Sequence, residues 1–451
     1  MLFQNATLVL PDRLMLGDLR TKDGKIADIG TELSTAGEEI VDCFGKFLFP
    51  GFIDTHTHLD MGNPLSHTAG DFASETRAAL LGGTTCILDF ATQERGETLC
   101  EGLKNWQRLA QNGAFCHYGF HMAVTDWSEN TRRQMADMVA AGITSFKLYM
   151  AYDHLRISDA DALAVLQEAK QLGALVGMHC EAGEAVAAGI ATQKAAGNFG
   201  PPAHPLSRPP EVEADAIRRW ISLAKTADCT IYVVHLSTAL GLEEIRRGRA
   251  DGVEVLAETC PQYLILDESC YDLPDFEGAK YVLSPPLRKQ SDVEALWQAV
   301  ADWEIDFIGT DHCGFNFATD KTRGQGDFSQ IPNGIPGVEH RPALLYTRGV
   351  QAGRINEVQL AQLLATRPAQ VFGLTGKGSL TLGKDADLVL WNPETQWKIS
   401  ATSQHQNIDY TPYEGFALTG APERVYLNGE LADGTAPLGK YVHRARLAFR
   451  R

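Results

Sequence analysis

Two histidines separated by one residue stand at the end of an apolar run, Phe52-Ile-Asp-Thr-His-Thr-His58. If this run is a β-strand, His56 and His58 point the same way, because side chains two residues apart share a face of a strand. Imidazole nitrogen is a favoured ligand of zinc and similar metal ions. A His-x-His pair alone is about as often two ordinary surface histidines, so its interpretation depends on other residues.

Three further residues with metal-binding groups follow apolar runs. His179 ends Leu175-Val-Gly-Met-His179, His235 ends Ile231-Tyr-Val-Val-His235, and Asp311 follows Phe307-Ile-Gly-Thr310. One such histidine is more often a hydrogen-bonded packing residue, and Thr-Asp is a common helix N-cap. Several strand ends that stop on possible ligands are a stronger indication of a metal site. A carboxylate there could also exchange a proton with a substrate.

Lys147 interrupts a run that otherwise favours burial, Thr144-Ser-Phe-Lys-Leu-Tyr149. A buried ammonium group without a partner is energetically costly. A buried salt bridge or a Schiff-base lysine would explain it. Because an ammonium has no lone pair to offer a metal ion, Lys147 could be a ligand only after chemical modification.

The middle of the chain alternates strand-like and helix-like segments, which predicts a (β/α)8 barrel of the TIM type. A doubly wound sheet is the rival architecture. Ser158-x-x-Asp161 predicts a helix start and Gly173 a helix end. The predicted barrel strands are Phe47–Asp54, Thr85–Phe90, Cys116–Val124, Ser145–Tyr149, Leu175–His179, Thr230–His235, Glu254–Glu258 and Phe307–Thr310.

Short strands and turns occur at both ends of the chain. Near the end they include Gly378–Gly383, Ala386–Trp391 and Arg424–Leu427. We expect the two end segments to pair into one small β-sandwich domain, with the barrel inserted between them. The predicted domains are 1–46 (β-sandwich, first part), 47–377 (barrel), and 378–451 (β-sandwich, second part, and tail).

Composition excludes some classes of partner. The formal net charge is −17, which argues against nucleic acid and against anionic membranes. None of the nine cysteines forms a C-x-x-C pair, which favours a reducing cytoplasm over a disulfide framework. No apolar run approaches the roughly 20 residues that a membrane helix needs.

The six possible ligands together resemble the metal-binding set of the amidohydrolase superfamily, most closely its dihydropyrimidinase and D-hydantoinase branch. The similarity runs from the strand at Phe47 to Tyr413-Glu-Gly415. The motifs that carry it are Phe146-Lys-Leu-Tyr-Met-Ala-Tyr152, Glu258-Thr-Cys-Pro-Gln-Tyr-Leu264, Ser284-Pro-Pro-Leu-Arg288, Gly309-Thr-Asp-His312 and Ile331-Pro-Asn-Gly334.

The resemblance implies two divalent metal ions, with Zn²⁺ expected and Mn²⁺, Co²⁺ or Fe²⁺ as alternatives. It also implies that carbon dioxide carboxylates Lys147, whose carbamate bridges the two ions. One ion would be held by His56, His58, Lys147 and Asp311, and the other by Lys147, His179 and His235.

The same resemblance assigns residues to the substrate. Tyr152 would hydrogen-bond the carbonyl oxygen, and the main chain at Ser284 and Asn333 would bind the cyclic amide. Asp311 would act as general base and then as general acid. One departure concerns the residues after His179: the branch commonly has Ala-Glu-Asn-Gly, whereas this chain has Cys180-Glu-Ala-Gly183, so the outer hydrogen bonds could differ.

The implied function is metal-dependent opening of the cyclic amide of dihydropyrimidines or 5-substituted hydantoins, which yields N-carbamoyl amino acids. Dihydroorotases typically place arginine after the His-x-His pair, where this chain has Leu59, so a ring that bears a carboxylate is disfavoured. Allantoinase or another cyclic-imide hydrolase stays open. A non-catalytic scaffold, as in collapsin response mediator proteins, is opposed by the six retained ligand positions. The branch also implies a homotetramer acting on a small cyclic amide or ureide.

Overall fold

The computed structural model describes residues 1–62, 64–111 and 113–447, which form two β-sheets with helices around one of them. The strands are β1 (Leu2–Val9), β2 (Leu14–Lys22), β3 (Lys25–Gly30), β4 (Ile40–Asp42), β5 (Phe47–Pro50), β6 (Phe52–Thr57), β7 (Thr84–Thr92), β8 (His117–Ala123), β9 (Ser145–Tyr149), β10 (Leu175–His179), β11 (Ile231–Val233), β12 (Val255–Thr259), β13 (Phe307–Ile308), β14 (Leu388–Lys398), β15 (Ala417–Leu427) and β16 (Glu430–Leu431).

Helices follow most of the strands from β6 to β13. They are α1 (Phe72–Leu81), α2 (Leu99–Ala110), α3 (Glu129–Ala140), α4 (Asp159–Leu172), α5 (Gly183–Ala195), α6 (Ala203–Leu206), α7 (Pro210–Ala227), α8 (Ala239–Ala250), α9 (Pro261–Ile265), α10 (Gln290–Ala301), α11 (Arg341–Leu345), α12 (Glu357–Ala361) and α13 (Arg367–Val371). The predicted ends of α4 are confirmed: the Ser158 side chain accepts from the Asp161 N–H, and Gly173 adopts the left-handed conformation with φ 67°. None of the helices in the described ranges is long and apolar enough to cross a membrane.

Strands β6 to β13 form a parallel barrel in which each strand pairs with the next along the chain. Every residue of β7 is buried, as expected where a strand has the barrel core on one side and helices on the other. The barrel closes where Thr57 and His312 form a parallel bridge, and the His58 N–H donates to the His312 carbonyl at 2.8 Å. The predicted (β/α)8 barrel is confirmed, and the doubly wound sheet is excluded.

The first predicted barrel strand, Phe47–Asp54, is wrong as a single element. Its first residues form β5 in the other sheet, and the chain enters the barrel as β6 only after Gly51. A Cβ atom at Gly51 would lie 2.1 Å from the Thr85 side-chain oxygen, so a glycine is needed where the chain crosses between sheets. Periodicity could not locate this crossing because the run is apolar on both sides of it.

The other sheet combines strands from both ends of the chain, in the order β16-β15-β14-β5-β1-β2-β3, with β4 beside β1. It has its own buried cluster, which includes Leu8, Leu48, Leu388 and Tyr426. The pairing of the two end segments is therefore confirmed, whereas 378–383, predicted among the strands and turns of this region, contains a turn and no strand. The exact domain boundaries stay a prediction.

The C-terminal tail packs against its own chain as far as residue 447. Arg444 is buried at the amino-terminal end of the barrel, where Nη1 donates to Ser145 Oγ at 2.7 Å and Nη2 donates to the Phe120 carbonyl. The Leu447 N–H donates to the Gly173 carbonyl at 2.9 Å. This segment therefore covers the floor of the barrel, and the last four residues of the chain lie outside the described residues.

A fully buried arginine, Arg341, holds the seam between the first and last barrel strands. Its Nη1 atom donates to the carbonyl of Ile53 at 2.9 Å and to that of Ile308 at 2.8 Å. These carbonyls belong to β6 and β13, for which direct pairing is confined to the carboxyl end. The guanidinium group therefore bridges main-chain acceptors of the two strands across the seam.

We predict that Arg341→Met lowers the free energy of unfolding by about 2 kcal/mol or more, because two buried carbonyls lose the guanidinium donor. Denaturant unfolding followed by circular dichroism measures this. Arg133→Met, on the exposed surface of α3, is the matched control and should leave the transition nearly unchanged. Equal transitions for the two variants would contradict this role of Arg341.

Candidate metal centre

The predicted ligands gather at the carboxyl end of the barrel strands, where a cavity of about 700 Å³ opens. His179 ends β10, His235 lies two residues after β11, and Asp311 lies three residues after β13. His56 is fully buried at the base, against Asp311. The remaining predicted site residues line the cavity, namely His58, Lys147, Tyr152, His179, His235, Ser284, Asp311 and Asn333. The structure therefore brings together every site residue that the sequence predicts.

His56, His58 and Asp311 form a compact cluster. One oxygen of Asp311 lies 3.1 Å from His56 Nε2 and 3.2 Å from His58 Nε2. Possible ligand atoms of the three residues all lie within 4.8 Å of one another. The ring of Phe90 packs beneath both imidazoles, with centroid distances of 4.6 and 5.1 Å, and helps to fix their orientation.

The His56 ring is oriented as a metal ligand needs. Its Nδ1 donates to Glu258, so Nε2 is the ring nitrogen that faces the carboxylate of Asp311. A positive charge between Nε2 and the carboxylate, either a proton on Nε2 or a cation bound to it, stabilises this arrangement. Burial alone would lower the pKa of His56, but Glu258 and Asp311 raise it to about 9, so this position favours positive charge. A divalent cation fits that requirement.

His179 and His235 form a second pair of imidazoles. His179 Nε2 donates to Glu181 at 2.8 Å, so Nδ1 carries the lone pair and lies 2.9 Å from His235 Nε2. Two ring nitrogens thus converge on one point next to Tyr152, whose ring centroid is 5.2 Å from that of His179. This pair fits the nitrogen ligands expected for a second metal ion.

Lys147 is buried within β9 and faces the same space. Its Nζ lies 4.9 Å from the centroid of Phe90 and 5.4 Å from that of Tyr149. Within the described part of the chain no carboxylate oxygen lies within 4.0 Å of Nζ, so the buried salt bridge considered for this lysine is absent. Burial lowers the pKa of Lys147 to about 8, so much of the amine is neutral near that pH.

Glu258 links β6 to the residues that follow β11 but was not assigned a role from the sequence. Besides His56, its carboxylate accepts from the His235 N–H at 3.2 Å and from Thr55 Oγ1 at 3.1 Å. It is fully buried at the end of β12. The sequence did contain an indication of this role. Glu258 is the first residue of the motif Glu258–Leu264, and it stands near a strand end, as several of the proposed ligands do.

Glu181 plays the corresponding part for His179. Its Oε2 accepts from His179 and also from Arg208 Nη1, each at 2.8 Å. The doubt raised by Ala182 therefore concerns a position that His179 does not use, because the neighbouring glutamate supplies the hydrogen bond. Arg208 also lies over the Tyr152 ring, 6.0 Å from its centroid, which links this ion pair to the substrate side of the cavity.

Three residues of the site adopt the left-handed backbone conformation that side chains disfavour. The φ angles are 66° for Tyr152, 40° for His235 and 52° for Asp311. Such conformations cost about 1–3 kcal/mol each and persist where the surrounding structure holds them. Their occurrence at a proposed substrate donor and at two proposed ligands indicates that the fold accepts strain to aim these groups into the cavity.

Asp311 is placed by the contact between the first and last strands. Asp54 on β6 accepts from the Thr310 N–H at 3.0 Å and from Thr310 Oγ1 at 2.7 Å. His312 points away, because its Nδ1 accepts from the Gly337 and Val338 N–H groups. His312 is not among the predicted ligands, and this orientation agrees with its absence from that set.

The comparisons with known proteins cover almost the whole chain. A model of the amidohydrolase family matches residues 47–432. A D-hydantoinase of Geobacillus stearothermophilus is 41% identical, over 99% of this chain and 96% of that protein. A D-hydantoinase of Rhizobium radiobacter is 42% identical, over 95% and 94%. The crystal structure of a dihydropyrimidinase from Brevibacillus agri superposes with a TM-score of 0.98 at 39% identity, and covers 100% of this chain and 99% of that one.

We predict that Glu258→Gln weakens metal binding about 10–100-fold, because the partner that orients His56 loses its charge. Metal content after dialysis against a graded series of chelator concentrations measures the loss. Glu254→Gln, an exposed position just before the same strand, is the control. Identical retention of metal by the two variants would show that Glu258 does not act through the ligand.

Proposed function

The chain belongs to the amidohydrolase family, and we propose that it opens the ring of 5-substituted hydantoins or dihydropyrimidines at an amide bond. The observation that carries the proposal is the convergence of two imidazole pairs, Lys147 and Asp311 on one cavity at the carboxyl end of the barrel. That edge of a (β/α)8 barrel is where active sites form.

The predicted membership of the dihydropyrimidinase and hydantoinase branch is confirmed, as is the class of metal-dependent cyclic amidohydrolase. The scaffold alternative is therefore not supported. Allantoin stays open as an alternative substrate, since it too is a cyclic ureide. The first relatives named above are D-hydantoinases, so we propose that the D configuration at the substituted carbon is preferred.

We assign two divalent ions, most simply zinc, to the two ligand groups that the sequence resemblance implies. His56, His58, Lys147 and Asp311 would hold one ion; Lys147, His179 and His235 would hold the other. When bound, such ions lower the pKa of water and polarise a carbonyl. The convergence of His179 Nδ1 and His235 Nε2, and the position of His56 against Asp311, support this assignment.

Lys147 would join the ligands as a carbamate. The neutral amine attacks the carbon of carbon dioxide, a C–N bond forms, and the nitrogen loses a proton to solvent. The carbamate oxygens then supply the lone pairs that an ammonium lacks. The lowered pKa of Lys147, caused by burial, supports the step because only the neutral amine is nucleophilic. The negative carbamate would also balance part of the charge of the two ions.

Tyr152 and Asp311 would carry out the remaining steps. Burial raises the pKa of Tyr152 to about 12, so the phenol stays protonated and can donate to the oxyanion that forms at the ring carbonyl. Loss of one such donor costs about 3 kcal/mol in comparable sites. Asp311 would accept the proton of the attacking water and deliver it to the departing amide nitrogen.

The substrate would be held by main chain at Ser284 and Asn333. Both residues line the cavity, and no hydrogen bond within the described residues uses their main-chain N–H or carbonyl groups. Met61, Leu65 and Leu155 add apolar surface to the same cavity, which suits an apolar ring substituent. The Leu59 side chain lies in the core instead, so this position offers nothing to a substrate carboxylate.

We also propose a homotetramer in the cytoplasm. Helix α5, Gly183–Ala195, has the sequence Gly-Glu-Ala-Val-Ala-Ala-Gly-Ile-Ala-Thr-Gln-Lys-Ala. All thirteen of its residues are described, and only Val186 among them is buried. An exposed helix so rich in small apolar residues supports contact with another subunit.

Ring opening is tested with metal-loaded protein and a panel of 5-substituted hydantoins of both configurations, dihydrouracil, allantoin and dihydroorotate. We expect turnover of D-hydantoins and dihydrouracil. Chromatography of the N-carbamoyl product measures this turnover. Dihydroorotate should be a poor substrate because nothing at Leu59 binds its carboxylate. Preference for dihydroorotate would refute the proposed substrate class. Preference for allantoin would identify the protein as an allantoinase instead of a hydantoinase.

We predict that Lys147→Ala loses bound metal and at least about 10³-fold in activity together, because both proposed ions share this ligand. Metal analysis and the ring-opening assay are run on the same preparation. Lys104→Ala, exposed on α2, is the control. A Lys147→Ala protein with full metal content and full activity would rule out the carbamate.

A further inference from the structure

Lys321 is a fully buried lysine that the metal chemistry does not use. Its Nζ donates to three main-chain carbonyls, those of Val282, Pro332 and Gly334, each at 2.7 Å. An ammonium group has three N–H donors, so the three carbonyls satisfy all of them. The partners are neutral groups, and burial of the positive charge is therefore not offset by direct ion pairing.

The three carbonyls belong to the two loops that line the cavity at Ser284 and Asn333. Val282 lies two residues before Ser284, while Pro332 and Gly334 stand on either side of Asn333. The loops also touch each other directly, since the Gly334 N–H donates to the Val282 carbonyl at 3.0 Å. Lys321 therefore ties together the two main-chain segments proposed to bind the cyclic amide.

The pattern of used and unused groups is specific. Along 332–334 the ammonium takes the first and third carbonyls, while the main-chain groups of Asn333 between them stay unbonded within the described residues. Without the ammonium, the carbonyl oxygens of Pro332 and Gly334 would lose the donor that Lys321 supplies, and the Val282 carbonyl would keep only the Gly334 N–H. These oxygens would repel one another, and the two loops would move apart.

The neighbours of Lys321 hold another loop of the cavity. Asp320 accepts a hydrogen bond from Ser66 Oγ, and Arg323 Nη1 donates to the Leu65 carbonyl at 3.0 Å. Leu65 lines the cavity. The segment 320–323 thus contacts the loop that faces the ring substituent as well as the loops that face the amide.

We propose that Lys321 is a positioning residue, whose ammonium group fixes the spacing between the Ser284 and Asn333 main chains so that both can bind one cyclic amide. A methionine would fill a similar volume without a buried charge. The retention of a costly ammonium at this point is explained by the three carbonyls that it gathers. The inference rests on the proposed function, because it assigns those two loops to the substrate.

The kinetic test compares Lys321→Met with the wild-type enzyme, both metal-loaded, on a D-hydantoin and on dihydrouracil. We expect KM to rise at least about tenfold, while kcat changes less than about threefold, because the lost interaction contributes to binding of ground state and transition state alike. Metal content should be unchanged, since Lys321 contacts no proposed ligand. A KM within about twofold of the wild-type value, or parallel loss of metal, would overturn the proposal.

Lys377→Met is the matched control. Lys377 is also a buried lysine, but it pairs with Asp387 at 2.6 Å and Asp385 at 3.1 Å, outside the cavity. It should lower thermal stability without changing KM. If Lys321→Met does not fold, Lys321→Gln replaces it, since an amide keeps two N–H donors; an intermediate KM is expected, and an unchanged KM contradicts the role.

Hydrogen exchange separates this inference from the proposed function. In wild-type protein the Gly334 amide should be protected, and Lys321→Met should lose that protection while Lys377→Met keeps it. Equal protection in all three would refute the positioning role, whatever the substrate. Failure of the wild-type enzyme to open any ring, with the exchange result intact, would instead refute the proposed substrate class.

Discussion

The contact between the first and last barrel strands is the constraint on which the site depends. His56 lies on β6 and His58 directly follows it, whereas Asp311 follows β13, far away in the sequence. Their ligand atoms meet only because the Asp54 carboxylate holds Thr310 and the backbone of His58 binds that of His312. Arg341 satisfies the carbonyls of the same seam deeper in the barrel. The geometry of the metal centre is therefore a property of barrel closure rather than of any single loop.

Buried charge around the centre is arranged in layers. Glu258 and Glu181 orient imidazoles from outside, and Arg208 compensates Glu181. Burial makes each of these groups costly when it stands alone, so each holds its partner in one orientation. The outer groups thus determine which ring nitrogen is free to bind a metal ion. On the substrate side, Lys321 applies the same principle to uncharged carbonyl groups.

Most of the architecture could be predicted from the sequence because strand ends mark the rim of a barrel, and the resemblance to the amidohydrolase superfamily implied the full set of proposed ligands. β9 and β10 have the predicted bounds, and His179 and His235 stand where the strands predicted to carry them end or have just ended. The crossing at Gly51 was missed because apolar residues on both sides serve two different sheets. Arg208 and Lys321 were not assigned roles because they act through partners distant in the sequence. Local patterns carry no information on such pairs, and only the folded chain shows that Lys321 faces Val282.

The tail that covers the floor of the barrel has a consequence for synthesis. Arg444 reaches Ser145 and Phe120, so the amino-terminal end of the barrel is sealed by residues that emerge from the ribosome after the rest of the barrel. Strand β5 likewise can pair with β14, its neighbour in the sheet that combines both ends of the chain, only after β14 has been synthesised. A nascent chain can therefore form its helices and inner strands early, but the floor of its barrel stays uncovered until the segment around Arg444 has been synthesised. Closure of the barrel floor is in this sense a late step of folding.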